Sequence, residues 1–318
     1  MATGAGRSFL PVPTPRAAAT RAVAAGLGRA GAFGCPPLLF PVLGLLVATA
    51  WLNRDAQWIA VLAAVVLLGV PHGALDGEIA RPLLRPRFGW AWFGVFALPY
   101  LGLSACVLAA WRIAPMATLG AFLAGSAWHF GREDAGPKPL EAWARGGLPI
   151  ALPVLLHPAA TAEVLGTVAL TPLTRLPEWL FVGAALWCVA ALCWTARMVV
   201  AGRLQALTEP GLLAMLFVAL PPLPAFAIYF VCIHAPRHTA ALLDDPRAPR
   251  VVDMRAAILR SLPTTAITIA IGAALWRWFP GTPSERLLAL TIQGLAALTL
   301  PHVILDQLAT NRWHSRQQ

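Results

Sequence analysis

The sequence predicts an all-α fold, a polytopic integral membrane helical bundle of about ten transmembrane helices, with eight to ten admissible. Three observations carry that reading. Of the 318 residues 58% are hydrophobic and only 12% charged, whereas a water-soluble domain carries about a quarter. The mean hydropathy is +0.68. The charges fall mostly between apolar runs of about 20 residues, the length a helix needs to cross a hydrocarbon core of roughly 30 Å.

On that criterion, spans are expected near 36 to 53, 57 to 76, 88 to 111, 114 to 131, 148 to 170, 177 to 200, 204 to 221, 223 to 241, 255 to 279 and 286 to 309. His157, Pro158 and Glu163 interrupt the fifth. The cluster Pro221, Pro222, Pro224 is either a turn between two helices or a kink in one long helix. No fixed-period repeat is visible, although PHGALD at 71 to 76 is echoed by PHVILD at 301 to 306. Residues 1–34 hold Arg7, Arg16, Arg21 and Arg29 and no acid, and read as a disordered basic cytoplasmic tail. Residues 35–310 read as a single membrane-embedded catalytic domain and 311–318 as a polar tail.

The formal net charge of +10 comes from 24 basic against 14 acidic residues. The arginines are spread among short loops instead of forming a basic surface with interleaved aromatics, which argues against nucleic acid as a partner. They set topology instead. The tail and the loops 77 to 88, 132 to 147 and 242 to 255 are arginine-rich and the alternate loops are not, so the amino terminus is expected in the cytoplasm of a bacterial inner membrane. The helices ending near His72, His129 and His238 and the last helix, with His302, then all run from outside to inside. The five cysteines, at 35, 106, 188, 193 and 232, lack metal-site spacing and are expected as small core residues.

The histidines carry the chemistry. An imidazole inside an apolar span is costly unless its nitrogens find partners, and it marks a functional site by default. His72, His129, His234 and His238 terminate or interrupt the runs LLGVPHGALD, FLAGSAWHFGRED and IYFVCIHAPRH. Four neutral imidazoles at one depth suit a borderline divalent ion such as iron, zinc or copper. His234 and His238 are one helical turn apart and can face one ion. Pro236 between them denies the Cys232 carbonyl its usual donor and should distort that turn. Asp76, Glu133 and Asp306 each lie four residues after a histidine, His72, His129 and His302 in turn. Each is therefore placed to orient that ring from the second shell of the metal. No Glu-x-x-His pair is present, which disfavours a carboxylate-bridged di-iron site and favours a mononuclear, all-nitrogen one. His157 and His314 are expected to be structural.

These motifs resemble the bacterial Brp/Blh-type β-carotene 15,15′-dioxygenases: PHGALD at 71 to 76, SAWHFGRED at 126 to 134, HAPRH at 234 to 238 and PH at 301 to 302, in the family's order and over nearly the whole membrane domain. The resemblance implies a membrane non-haem iron enzyme that cleaves β-carotene at its central double bond with O2 to give two retinal molecules. It implies His72, His129, His234 and His238 as the Fe(II) ligands and His302 as a neighbour of the site. Supply of retinal to a rhodopsin is the corresponding biological role.

Such a site is consistent with dioxygen chemistry on a polyene held in an apolar tunnel, the protein supplying position and water exclusion. Trp128, Phe130, Phe226, Tyr229 and Phe230 are candidates to line that tunnel, their π faces suited to transient positive charge. Two readings compete: a non-catalytic carotenoid or retinal carrier, and cleavage of a different carotenoid or apocarotenoid. A proton-coupled transporter is disfavoured by the scarcity of acids within the spans.

Overall fold

The computed structural model describes residues 39–317, with side chains from 42 to 312; the basic tail expected over 1–34 lies outside the described residues. Among those described, the chain is helical throughout and has no strand. Charges, prolines and glycines set the breaks. The first helix, α1 (Leu39–Ala48), runs into a tight turn at Thr49–Trp51. Asn53 then caps α2 (Arg54–Ala64), its side chain accepting from the Ala56 N–H at 3.0 Å and meeting one of the otherwise orphaned donors of the first turn. After Ala64 the helix widens, the Val70 N–H reaching back five residues to the Val65 carbonyl. It tightens again over Val70–Leu75 and resumes as α3 (Asp76–Phe88). Gly89, at φ 54°, ends α3 in a backbone conformation that costs glycine little.

The next two helices, α4 (Trp92–Ile113) and α5 (Pro115–Ala135), are antiparallel neighbours, with Pro115 at the start of α5, where its missing N–H is no loss. Gly136, at φ 61°, stops α5. A short α6 (Pro139–Gly146) folds back against α5 so closely that glycine is required on both sides. A methyl on Gly131 would overlap the Ala142 carbonyl oxygen, and one on Gly146 the Ala127 carbonyl.

The span expected at 148 to 170 is two helices, α7 (Leu148–Leu156) and α8 (Pro158–Val168), separated at His157. Residues preceding proline disfavour the helical region, and the freed His157 ring bonds the Phe217 carbonyl at 2.9 Å. After α9 (Glu178–Val200) come α10 (Thr208–Ala219) and α11 (Pro222–Tyr229). The proline cluster is therefore a turn, with Leu220 and Pro221 extended between two helices. A second widened turn spans Phe230–His234, the Ala235 N–H bonding the Phe230 carbonyl five residues back, and leads into α12 (Ala235–Leu243). Pro236 supplies the cause, since it cannot return an N–H to the preceding turn. Wider turns of this kind recur at functional sites. Asp253 caps α13 (Met254–Leu275), and α14 (Pro283–Gln317) closes the chain.

Among the described residues, five helical stretches are long and apolar enough to cross a membrane: Arg54–Ile113, Glu178–Val200, Pro222–Leu243, Met254–Trp278 and Pro283–Arg312. The sequence predicts about ten. The counts differ because Arg54–Ile113 covers two of the expected spans, because α7 and α8 are divided at His157, and because the apolar helices Val42–Trp51 and Leu204–Ala219 are short. Leu186, Val189 and Leu192 on α9 and Ile258, Leu262 and Ile269 on α13 are exposed, a pattern suited to lipid and not to water. Of the cysteines among the described residues, Cys232 is buried, whereas Cys106 and Cys193 are exposed, which corrects the expectation that these two are core residues.

An ionic cluster joins three helices at one level. Arg54, at the start of α2, reaches Glu163 on α8 at 2.6 Å and Glu285 at the start of α14 at 3.4 Å. His72 lies 18 residues beyond Arg54 and His302 17 beyond Glu285, about 26 Å along either helix at 1.5 Å per residue. The two histidines are thus brought to the same level at the opposite end of the bundle.

Candidate metal centre

Five imidazoles meet at that level. His72, His234, His129, His302 and His238 follow one another round a closed ring, with neighbouring centroids 5.3, 5.5, 5.2, 5.2 and 5.3 Å apart. They come from four separated segments: the turn before α3, α5, the α11–α12 junction and α14. His129, His234 and His302 are buried. The first widened turn ends three residues before His72, and the second contains His234.

Glu133 stands among the rings. Its Oε1 is 2.9 Å from His238 Nδ1 and 3.6 Å from His129 Nε2, and its Oε2 is 3.3 Å from His234 Nδ1. The last contact is close but not aligned as a hydrogen bond, so the His234 nitrogens are left without one. The carboxylate therefore serves three histidines, not only its helical neighbour His129. Two donor sets result, His129 with Glu133 and His234, and Glu133 with His238 and His302; within each set, one donor atom per residue lies within 4.8 Å of the others. Glu133 thus adds carboxylate oxygens to the nitrogen donors gathered here.

The other two acids differ from expectation. Asp76 does not orient His72; it accepts from His302 Nδ1 at 2.7 Å and from the Tyr100 hydroxyl at 2.8 Å. His72 instead directs Nδ1 to the Gly69 carbonyl one turn back. Asp306 does not orient His302; it pairs with Arg247 Nη1 at 2.9 Å. Burial works against the charge of Arg247, but its hydrogen bonds to Asp245 and Asp306 hold its pKa above the usual value. In each case helical adjacency was outcompeted by a partner from another element. Tyr100 was missed by sequence reasoning. The available signal was a phenol within an apolar helix, in a chain with only two tyrosines, since a buried hydroxyl needs a partner.

Four of the five aromatic candidates surround the rings. Phe130 meets His234 edge to face at 4.7 Å, and Phe230 stacks on it at 5.5 Å. Phe226 stacks in turn on Phe230 at 5.6 Å, and Tyr229 lies 6.1 Å from His234. Trp128 belongs elsewhere: it is exposed, and the Arg132 guanidinium sits over its ring at 5.9 Å.

The donor chemistry fits a metal ion. Both ring nitrogens of His234 and Nε2 of His238 are buried without a hydrogen-bond partner, and an unsatisfied buried polar group costs about 1–3 kcal/mol. A divalent cation would take the one lone pair that each neutral ring offers and balance the half-buried Glu133 carboxylate.

Fold and site together define a helical protein of membrane-protein composition built around a buried polyhistidine centre. The β-carotene 15,15′-dioxygenase family model matches residues 63–309, and the chain belongs to that family. It is 31% identical to the probable β-carotene 15,15′-dioxygenase Blh of Halobacterium salinarum, over 84% of this chain and 87% of that protein. It is 29% identical to the β-carotene 15,15′-dioxygenase of an uncultured marine bacterium, 66A03, over 78% of this chain and 92% of that one. No solved structure matches.

Proposed function

We propose that this protein is a membrane dioxygenase that cleaves β-carotene at the central 15,15′ double bond with O2, giving two molecules of all-trans-retinal. The observation that carries the reading is the convergence of five imidazoles from four distant segments on one buried point lined by aromatic rings. The family to which the chain belongs supplies the substrate and the bond cleaved. Iron, as Fe(II), is the proposed metal, held by His72, His129, His234 and His238. We also propose that all ten apolar runs cross or enter a bacterial inner membrane with the amino terminus in the cytoplasm, and that the retinal serves a rhodopsin.

When bound, the iron supplies the redox chemistry that lets dioxygen react with a closed-shell alkene. The chain's own residues do the rest. Hydrogen bonds from Nδ1 of His72 to the Gly69 carbonyl and from Nδ1 of His238 to Glu133 assign those protons to Nδ1 and leave Nε2 free as a donor. Phe130, Phe226, Tyr229 and Phe230 exclude water and present ring faces and edges to an apolar chain. The polyene has no polar group to recognise, so the wall must place the central double bond by shape alone. Each oxygen atom of O2 ends in one aldehyde, so no external reductant is consumed.

Expression in a β-carotene-accumulating bacterium tests the reading. The expected result is bleaching, with retinal as the product. His72→Ala, His129→Ala, His234→Ala and His238→Ala should abolish both retinal formation and iron in the purified protein. Pigment that persists beside well-folded wild-type protein would reject the activity and leave a carotenoid carrier.

A further inference from the structure

Asp76, His302 and Tyr100 form a hydrogen-bonded chain that the four-histidine reading leaves without a task. His302 Nδ1 donates to Asp76 Oδ1 at 2.7 Å, and the Tyr100 hydroxyl donates to Asp76 Oδ2 at 2.8 Å, with the Leu298 carbonyl a longer alternative at 3.2 Å. The three residues come from α3, α14 and α4. The side chains of Asp76 and His302 are 4% and 7% exposed, so a carboxylate sits deep in the protein, and a buried charge must be compensated. Among the described residues no lysine or arginine pairs with Asp76; its one ion-pair partner is His302.

An imidazole whose one nitrogen is fixed by a carboxylate is the usual form of a metal-ligating histidine, the outer partner setting ring orientation and raising basicity. The rest of the ring is placed accordingly. Its centroid is 5.2 Å from those of His129 and His238 and 6.3 Å from that of His72, and it shares a donor set with Glu133 and His238. A histidine serving only to tie α14 to α3 would need none of these neighbours. Resting on the metal-centre reading above, we propose that His302 is a fifth imidazole donor to the metal, and that Tyr100 is a positioning residue that fixes His302 through Asp76.

The test uses the purified full-length protein in detergent, loaded with Fe(II) or with Co(II), whose visible absorption weakens as coordination number rises. His302→Ala should strengthen and shift the Co(II) bands, and added imidazole should return them toward wild type. Iron release to a chelator should be at least about 100-fold faster in His302→Ala and about 10-fold faster in Tyr100→Phe, following the 10–100-fold effect typical of outer-shell partners. A loss of packing alone would lower the unfolding temperature of Tyr100→Phe without changing release from the folded protein, and that result overturns the positioning role. Wild-type Co(II) bands in His302→Ala overturn the ligand assignment. Should that variant not fold, the wild type decides: an intense four-coordinate Co(II) spectrum overturns the proposal and a weak five- or six-coordinate one supports it. Retinal formation is scored separately, so a wild type with the expected Co(II) spectrum but no retinal rejects the proposed reaction and not the role of His302.

Discussion

Nδ1 of His238 lies 2.9 Å from Oε1 of Glu133 although 105 positions separate them in sequence. Because the other carboxylate oxygen approaches His234 at 3.3 Å, one acid on α5 faces both histidines of HAPRH. Glu133→Gln keeps the shape and removes the charge. Its amide can donate to a ring nitrogen where the carboxylate only accepted, disturbing the tautomers of His238 and His234. Metal affinity should fall about 10- to 100-fold, measured by competition against a chelator, and retinal formation should fall with it. A variant that binds metal as tightly as wild type would place the carboxylate outside the centre's energetics.

Close packing at Gly131 sets where His129 stands. A methyl there would meet the backbone of Ala142 on α6, which has no flexible end to move aside. Gly131→Ala should therefore separate α5 from α6 and cost about 1–3 kcal/mol, the usual range for overpacking. It should lower the thermal unfolding midpoint in detergent and reduce retained iron, because His129 and Glu133 flank the contact. Gly125→Ala, six residues earlier with open space around it, is the control and should leave both measurements near wild type.

The histidine constellation was legible in the sequence because few forces leave imidazoles in apolar runs, and four did so at helix ends of matching polarity. The pairing of acids with rings was not. Spacing by four makes Asp76 and Asp306 candidates for His72 and His302, but the proline at 71 and the widened turn before it rotate His72 toward the Gly69 carbonyl. Asp76 is thereby released to a histidine 226 residues away. Asp306 was drawn off by Arg247, a loop residue 59 positions away in sequence. Span counting was least legible where a helix ends inside an apolar run: at His157 the hydropathy continues but the backbone does not.

Arg237, between the two histidines of HAPRH, holds Asp134 in an ion pair and Glu209 at 2.9 Å. The Asp134 side chain is 4% exposed. Arg237→Gln therefore strands a buried charge, and losing one member of such a pair costs about 3–5 kcal/mol. Asp134→Asn in the same chain should restore part of that loss, since the stranded charge goes with it. Unfolding midpoints of the two single variants and the double variant measure the coupling; strictly additive losses would show that the pair contributes no interaction of its own.

The ring of Phe230 is held between Gly69 and His234. It stacks on His234 at 5.5 Å, and the absence of a side chain at Gly69 lets it lie against the first widened turn, since a Cβ there would overlap the ring edge. Gly69→Ala should push Phe230 against His234 and impair metal retention. The clash is with a side chain, so it is removable: Gly69→Ala combined with Phe230→Leu trades the ring for a smaller group and should recover iron binding relative to Gly69→Ala alone. Phe230→Leu alone leaves a gap in a well-packed wall, for a loss on the order of 1–2 kcal/mol, and loosens the seat proposed for the polyene. Retinal output of the double variant should therefore stay below wild type even where its iron content is restored. Equal iron loss in Gly69→Ala and the double variant would mean that the glycine matters for its backbone and not for the space it gives the ring.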